Sequence, residues 1–187
     1  LTAVLAAGLA TRFGGAKLDA IIRGAFVGSW SINALEEAGL TAGIIIVGPQ
    51  RPQFCNLHPK WNCIINAEPE AGIGSSIRLA VHHAEQMGSD ALLIALADMP
   101  MVTPDHFKQV AAAQGMAATR YNDGSLGVPA RIPQKSFSDL ADSCGQRGAS
   151  EFLSSHPSVQ AVQVDPAILV DIDTPSDLSL FGHSGGG

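Results

Sequence analysis

Four short runs of apolar residues recur along the chain with almost nothing polar inside them: Thr2–Ala6, Gly43–Val47, Cys63–Asn66 and Ala91–Leu96. A strand with one wet face alternates apolar and polar positions. These runs do not alternate, so they read as strands covered on both faces, the pattern of a parallel sheet packed between helices. The stretches between them are of helix length. Ser29–Ala38 is closed by Gly39, and Ser75–Met87 by Gly88, each glycine placed as a C-terminal cap. Thr103 and Pro104 are the N-cap and first-turn pair of a third helix running to about Gln114.

This strand–helix rhythm predicts an α/β fold with right-handed crossovers. From Met116 the pattern loosens. Gly124, Gly127, Pro129 and Pro133 predict a hairpin or loop excursion, followed by a helix near Gln134–Asp142. Val159–Val164 and Leu169–Asp171 are expected as later strands, and Pro175–Phe181 as a closing helix. With no internal repeat and no linker, the expectation is one domain over residues 1–182 and a flexible tail at 183–187.

Composition narrows the function classes. A chain of 187 residues with 46% apolar and 15% charged residues can build one substantial core. Its net charge of −6 argues against nucleic acid held by a general basic surface. A small anionic ligand stays open, because backbone N–H groups and one or two cations can hold phosphate locally. Cys55, Cys63 and Cys144 form no Cys-x-x-Cys pair, so neither a disulfide framework nor a zinc site is expected, and a reducing cytoplasm is the expected compartment. No membrane association is expected either. The run Ala91–Ala97 is far too short to span a bilayer, and Leu1–Ala7, without a basic leader, reads as a strand and not as a signal peptide.

Three segments carry candidate chemistry. Leu5-Ala6-Ala7-Gly8-Leu9-Ala10-Thr11-Arg12-Phe13-Gly14-Gly15-Ala16-Lys17 begins at the end of the first strand, where open α/β sheets bind ligands. Its glycines let backbone N–H groups turn toward an anion, while Arg12 offers a fork for phosphate oxygens and Lys17 a compact charge. A flexible turn with two solvated cations is the plainer alternative. The spacing fits neither a Walker A loop nor a Gly-x-Gly-x-x-Gly dinucleotide fingerprint. Asp98, just past the strand Ala91–Leu96, could hold Mg²⁺ or simply cap the turn before Pro100. Asp173 opens a C-terminal segment, Asp173-Thr174-Pro175, that equally suits a helix start. Asp171 shares a side with Asp173 if the segment is extended. None of the six histidines falls in these segments, and His82 and His83 read as surface or packing residues.

Taken in order, these segments resemble the MobA-like nucleotidyltransferases, most closely the molybdenum-cofactor cytidylyltransferase branch. Leu5 to Lys17 looks like the signature loop, and Glu70-Ala71-Gly72-Ile73-Gly74-Ser75-Ser76-Ile77 is similar to the nucleobase segment. Ala97-Asp98-Met99-Pro100 resembles the metal motif, Asp171-Ile172-Asp173-Thr174-Pro175 the late acidic motif, and Gly127-Val128-Pro129 a loop associated with the second substrate. The resemblance spans residues 2–181. It implies a Rossmann-like three-layer α/β/α sandwich with a mostly parallel sheet, of nucleotidyltransferase type. It further implies Mg²⁺-dependent transfer of NMP from an NTP, with CTP favoured, to a phosphorylated pterin-like acceptor, with release of pyrophosphate. Arg12, Lys17 and Asp98 would be catalytic, and Asp98 and Asp173 would ligate the metal, with Asp171 a further candidate. Leu5, Ala6, Ala7, Gly8, Arg12, Lys17, Gly74 and Ser75 would bind nucleotide. Gly127, Pro129 and Arg147 would face the acceptor, and transient contact with a molybdoenzyme or its chaperone is implied as well.

The chain departs from the family's pattern over Leu18–Phe26, and at Gln146 and Ser150, where the pattern carries Asp and Arg. Three other readings compete. One is transfer from GTP or to another acceptor. Another is a nucleotide-binding accessory protein without turnover, although such a protein has little need of two metal carboxylates. The third is an oxidoreductase, which the missing dinucleotide fingerprint disfavours.

Overall fold

The computed structural model describes residues 1–145 and 148–181. Its strands are β1 (Thr2–Ala6), β2 (Ile21–Ile22), β3 (Ala25–Phe26), β4 (Gly43–Val47), β5 (Trp61–Ile65), β6 (Ala91–Leu96), β7 (Ala117–Arg120), β8 (Leu126–Pro133) and β9 (Gln160–Val162). Its α-helices are α1 (Val27–Glu37), α2 (Ile73–Gln86), α3 (Pro104–Ala111), α4 (Phe137–Ser143) and α5 (Ser150–Ser155). Seven strands form one sheet in the order β5-β4-β1-β6-β8-β7-β9, while β2 and β3 form a separate two-stranded hairpin. Within the large sheet only β8 runs against the rest: it pairs antiparallel with both β6 and β7, and every other pairing is parallel.

The unbroken apolar strands sit where their composition requires. On one face Val4, Ala6, Ile45, Val47, Leu93 and Ala95 pack with Ile32 and Leu35 of α1 and with Phe107 and Val110 of α3. On the other, Ala3, Leu5, Ile44, Ile46, Leu92 and Ile94 meet α2 through Ile77 and Val81, α4 through Leu140 and α5 through Leu153. Alternate residues of each strand therefore enter different cores, which is why β1 after Thr2 and β4 after Gly43 are apolar at every position. The result is the expected three-layer α/β/α arrangement with a mostly parallel sheet.

Several local expectations hold. Gly39 and Gly88 take positive φ values of 88° and 61° just past α1 and α2. Thr103 caps α3, its Oγ1 accepting from the His106 N–H at 3.3 Å. The excursion after Met116 is the β7–β8 hairpin, but Gly127, Pro129 and Pro133 lie within β8 and not in its turn.

Other expectations need correction. Leu169–Asp171 is not a strand; the chain there follows a short 3-10 turn (Pro166–Ile168), whereas Pro175–Phe181 is helical as expected, in 3-10 form. α5, the hairpin of β2 and β3, and the 3-10 helix Gln53–Leu57 have no counterpart among the expected elements. No helix among the described residues is long and apolar enough to cross a membrane. The expected tail, 183–187, lies outside the described residues, as do Gln146 and Arg147.

Candidate active site

Chain order dictates where a ligand can sit. From β1 the chain moves outward to β4 and β5, then returns to β6 on the other side of β1. Neighbouring parallel strands whose connections leave in opposite directions open a crevice beyond their carboxyl ends. At that crevice β1 continues into the glycine-rich loop and β6 into Asp98. A cleft of about 830 Å³ runs along the loop, lined by Gly8, Thr11, Gly15, Lys17, Gln50 and Arg51 among others. A smaller cavity of about 360 Å³ adjoins it, walled by Leu5, Leu9, Pro69, Gly72, Ile73, Ser76 and Leu96. Leu5, Ala7, Gly8, Leu9, Pro69, Glu70 and Asp98 line both.

The loop is a built structure. The N–H groups of Phe13 and Gly14 both donate to the Ala10 carbonyl at 3.0 Å, and Gly14 takes a φ of +74°. The following 3-10 turn (Lys17–Asp19) buries Lys17 to 8% exposure and aims it inward. Its Nζ donates to Asp98 Oδ2 at 2.7 Å and lies 3.5 Å from Asp173 Oδ1. Arg12 stays at the rim, with Nη1 3.0 Å from Asp173 Oδ2. Arg12, Asp173, Lys17 and Asp98 thus form one chain of alternating charge, in which Lys17 and Asp98 line the cleft while Arg12 and Asp173 line neither cavity.

The simple capping roles open to the two aspartates are not the ones they take. The Asp98 carboxylate accepts from Lys17, while its backbone carbonyl accepts from the Ile172 N–H at 3.0 Å. The C-terminal turn is capped by Asp177, whose Oδ2 accepts from the Asp173 and Thr174 N–H groups at 2.9 and 2.7 Å. Those bonds hold the Asp177 carboxyl below its usual pKa and leave the Asp173 carboxylate to face the cations. Ile172 is fully buried between Asp171 and Asp173, and both aspartates lie within electrostatic reach of Lys17. The Asp171 residue keeps contact with water, but its carboxyl is crowded. Protein bulk first, then the charges of Asp98 and Asp173, raise its pKa to about 6 against the pull of Lys17.

Among the described residues no cluster of three His, Cys, Asp or Glu side chains is arranged to enclose a metal ion. Two carboxylates beside a phosphate-sized cleft still fit Mg²⁺ or Mn²⁺, hard cations that keep several waters and borrow substrate oxygens. They would not make an all-protein cage.

Leu5, Ala6, Ala7, Gly8 and Lys17 line the cleft as expected for nucleotide contacts. Gly74 and Ser75 do not line either cavity. A Cβ on Gly74 would come 2.6 Å from the carbonyl oxygens of Cys144 and Gly145, so Gly74 lets α2 approach that backbone. The Ser75 hydroxyl is turned back onto the Glu68 and Gly72 carbonyls. Gly127 and Pro129 lie on β8 beyond Tyr121, and Arg147 falls outside the described residues.

Three residues that sequence reasoning passed over shape the site. Asp19 accepts from the Gln53 and Phe54 N–H groups, both at 2.9 Å, and so pins the Gly48–Gln53 wall to the loop. Asn66, 2% exposed, fastens the opposite wall. Tyr121 donates to the Val128 carbonyl at 2.7 Å; burial first, then Asp171 and Asp98, raises its pKa. Only for Asp19 was there a signal, a lone acid inside an otherwise apolar stretch.

Residues 2–161 match the MobA-like NTP transferase domain. The chain belongs to that family. It is 27% identical over 192 aligned positions to the purine catabolism protein PucB of Bacillus subtilis, covering 94% of this chain and 92% of PucB. It is 28% identical over 159 positions to a phosphoenolpyruvate guanylyltransferase of Sphaerobacter thermophilus, covering 82% and 76% of the two chains. Among solved structures, Rv0371c of Mycobacterium tuberculosis superposes with a TM-score of 0.82 at 23% identity, over 98% of this chain and 97% of that one. A manganese complex of the same protein superposes with a TM-score of 0.77. These likenesses place the chain among nucleotidyltransferases and do not single out the molybdenum-cofactor branch.

Proposed function

We propose that this protein transfers NMP from an NTP to a phosphorylated small-molecule acceptor, dependent on a divalent cation and releasing pyrophosphate. The observation that carries the reading is Lys17, buried and placed between Asp98 and Asp173 at the floor of the loop-lined cleft. An acceptor oxygen attacks the α-phosphorus, the bond from that phosphorus to the bridging oxygen breaks, and pyrophosphate departs with the electron pair. Such a displacement asks the protein chiefly for positioning and neutralisation of charge. Loop N–H groups and Arg12 would hold the triphosphate, and Lys17 would meet the charge that builds around the α-phosphorus. Asp98 and Asp173 would hold the metal, whose contribution is Lewis-acid stabilisation of phosphate oxygens. The apolar walls Leu5, Leu9, Ile73 and Leu96 suit the flat faces of a base, so the smaller cavity takes the nucleoside end.

The preferred pair is CTP with a molybdopterin-type acceptor, on the sequence's resemblance to the molybdenum-cofactor cytidylyltransferase branch. A second pair, GTP with phosphoenolpyruvate, is favoured by the guanylyltransferase relative. The test is pyrophosphate release across four NTPs with Mg²⁺ or Mn²⁺, each with molybdopterin cofactor, phosphoenolpyruvate or no acceptor. The expected result is a signal for one NTP that depends on one acceptor. Tight NTP binding with no release under any pairing would instead describe an accessory protein.

A further inference from the structure

Asn66 occupies an unusual position for an uncharged polar residue: it is 2% exposed, both N–H donors of its side-chain amide are engaged, and its Oδ1 accepts one bond. Its backbone N–H donates to the Val47 carbonyl at 2.7 Å, prolonging the β4–β5 pairing by one residue and fixing the amide at the sheet's carboxyl edge. The side-chain Oδ1 accepts from the Glu68 N–H at 3.0 Å. Nδ2 donates to the hydroxyls of Ser75 and Ser76 at 2.7 and 3.0 Å. The Ser75 hydroxyl in turn faces the Glu68 and Gly72 carbonyls at 3.1 and 2.7 Å. The Ala71 and Gly72 N–H groups close back on Glu68 and Pro69, and Gly72 turns the chain with a φ of +88°. One buried amide thus ties the strand end, the 68–72 turn and the first turn of α2 into a single unit. That unit supplies Pro69, Glu70, Gly72, Ile73 and Ser76, five of the residues around the smaller cavity.

We infer that Asn66 is a positioning residue for base recognition: it fixes the backbone groups of the 68–72 turn against which the nucleobase is read, and has no part in holding the triphosphate. This rests on the nucleotide-binding reading above. Within the turn the remaining links are backbone bonds of a short 3-10 segment, and the Ser75 hydroxyl that braces the Glu68 and Gly72 carbonyls is itself held by Asn66, so without the amide these groups would lose their fixed direction. The triphosphate loop, by contrast, is built from its own bonds around Ala10 and Gly15 and shares none of them with Asn66.

The experiment is calorimetric titration of wild-type protein and Asn66→Asp with CTP, GTP and inorganic tripolyphosphate, each with Mg²⁺. Aspartate keeps the volume but cannot donate to the two serines. Asn66→Asp is expected to weaken binding of the preferred nucleotide about tenfold. It should also bring CTP and GTP affinities closer together, while tripolyphosphate binds within twofold of wild type. Nucleotide affinity unchanged in folded Asn66→Asp would overturn the inference, as would tripolyphosphate affinity falling in step. If Asn66→Asp does not fold, Ser75→Ala removes one acceptor of the same amide at a residue that lines neither cavity, with little change in volume. A few-fold loss of discrimination is expected there, and an unaltered CTP-to-GTP ratio overturns the positioning role. Wild-type protein that binds tripolyphosphate but neither nucleotide also refutes it, whereas failure to bind any of the three removes the nucleotide reading itself.

Discussion

The Lys17 ammonium lies 2.7 Å from Asp98 Oδ2 and 3.5 Å from Asp173 Oδ1, so a single buried cation joins the two carboxylates proposed to bind metal. Before substrate arrives, Lys17 supplies the neutralisation that a divalent ion would otherwise provide. A triphosphate entering the cleft offers Lys17 a more highly charged partner and leaves the carboxylates available. Metal and nucleotide should therefore bind with positive coupling. In the free protein Lys17→Met should raise Mn²⁺ affinity, as read by electron paramagnetic resonance titration. Wild-type affinity for Mn²⁺ that is equal with and without NTP would refute the coupling.

In turnover, loss of the Lys17 charge acts in the opposite direction. Lys17→Ala should lower kcat more than it raises KM, because its charge is most valuable as negative charge gathers at the transferred phosphorus. A loss of roughly 2–4 kcal/mol in transition-state stabilisation is expected, the scale of a preorganised electrostatic donor. A rise in KM at constant kcat would reduce Lys17 to a docking cation.

The two carboxylates should differ in tolerance. Asp98→Asn should cut activity on the order of a hundredfold or more while circular dichroism stays unchanged. Asp173→Asn should be milder, since Asp173 is the more exposed of the two carboxylates, its contact with Lys17 is the longer one, and Asp177 still caps the turn. Asp173→Ala should be severe. Equal and small effects at both positions would argue for a purely structural charge network.

Acidity gives a prediction of unusual sign. Asp171 is raised to about 6, so its ionised form is disfavoured in the folded state. As pH climbs from the ordinary carboxylate range through 6, the unfolded chain loses its proton first, and the folded state loses ground. In the presence of a chelator, Asp171→Asn should therefore melt higher than wild type at pH 7.5, with the gap closing below pH 4. Asp177 has the opposite sign: its depressed pKa contributes stability above the usual carboxylate range, lost as pH falls through the lowered value. Thermal melts across pH 3.5–8 would check both.

Gly74 tests the junction between α2 and the segment before α5. A methyl group there meets two backbone carbonyl oxygens at 2.6 Å, and backbone cannot swing aside as a side-chain tip can. Gly74→Ala should cost about 1–3 kcal/mol in urea unfolding. A cost indistinguishable from zero would mean that the Cys144–Gly145 backbone yields freely.

Much of this architecture is legible in the chain because burial on both faces leaves a plain signature. β1, β4 and β6 could be bounded by eye, and Gly39, Gly88 and Thr103 marked helix ends through backbone chemistry alone. The elements that escaped notice are short and owe their form to tertiary partners. The 3-10 helix Gln53–Leu57 is capped from Asp19, far away in sequence, and α5 has only six residues. Leu169–Asp171 has the composition of a strand but finds no neighbour to pair with. At the site, the acidic and basic residues could be named from motif order. The bonds that release Asp173 from capping, and the amide of Asn66 behind the turn, depend on contacts that no local pattern encodes.

The Ile172–Asp98 backbone bond has a mechanical consequence. Asp98 is rooted at the end of a central strand, whereas among the described residues 165–181 this one bond is the backbone link to the rest of the fold. Asp173 therefore rides on a strap that can lift by local opening while the sheet stays intact. The two halves of the carboxylate pair stand on unequal footing, one anchored and one hinged. Asp173 owes its place beside Lys17 to the buried seat of Ile172, so a substitution that unseats Ile172 should displace one carboxylate of the pair while the sheet stays folded.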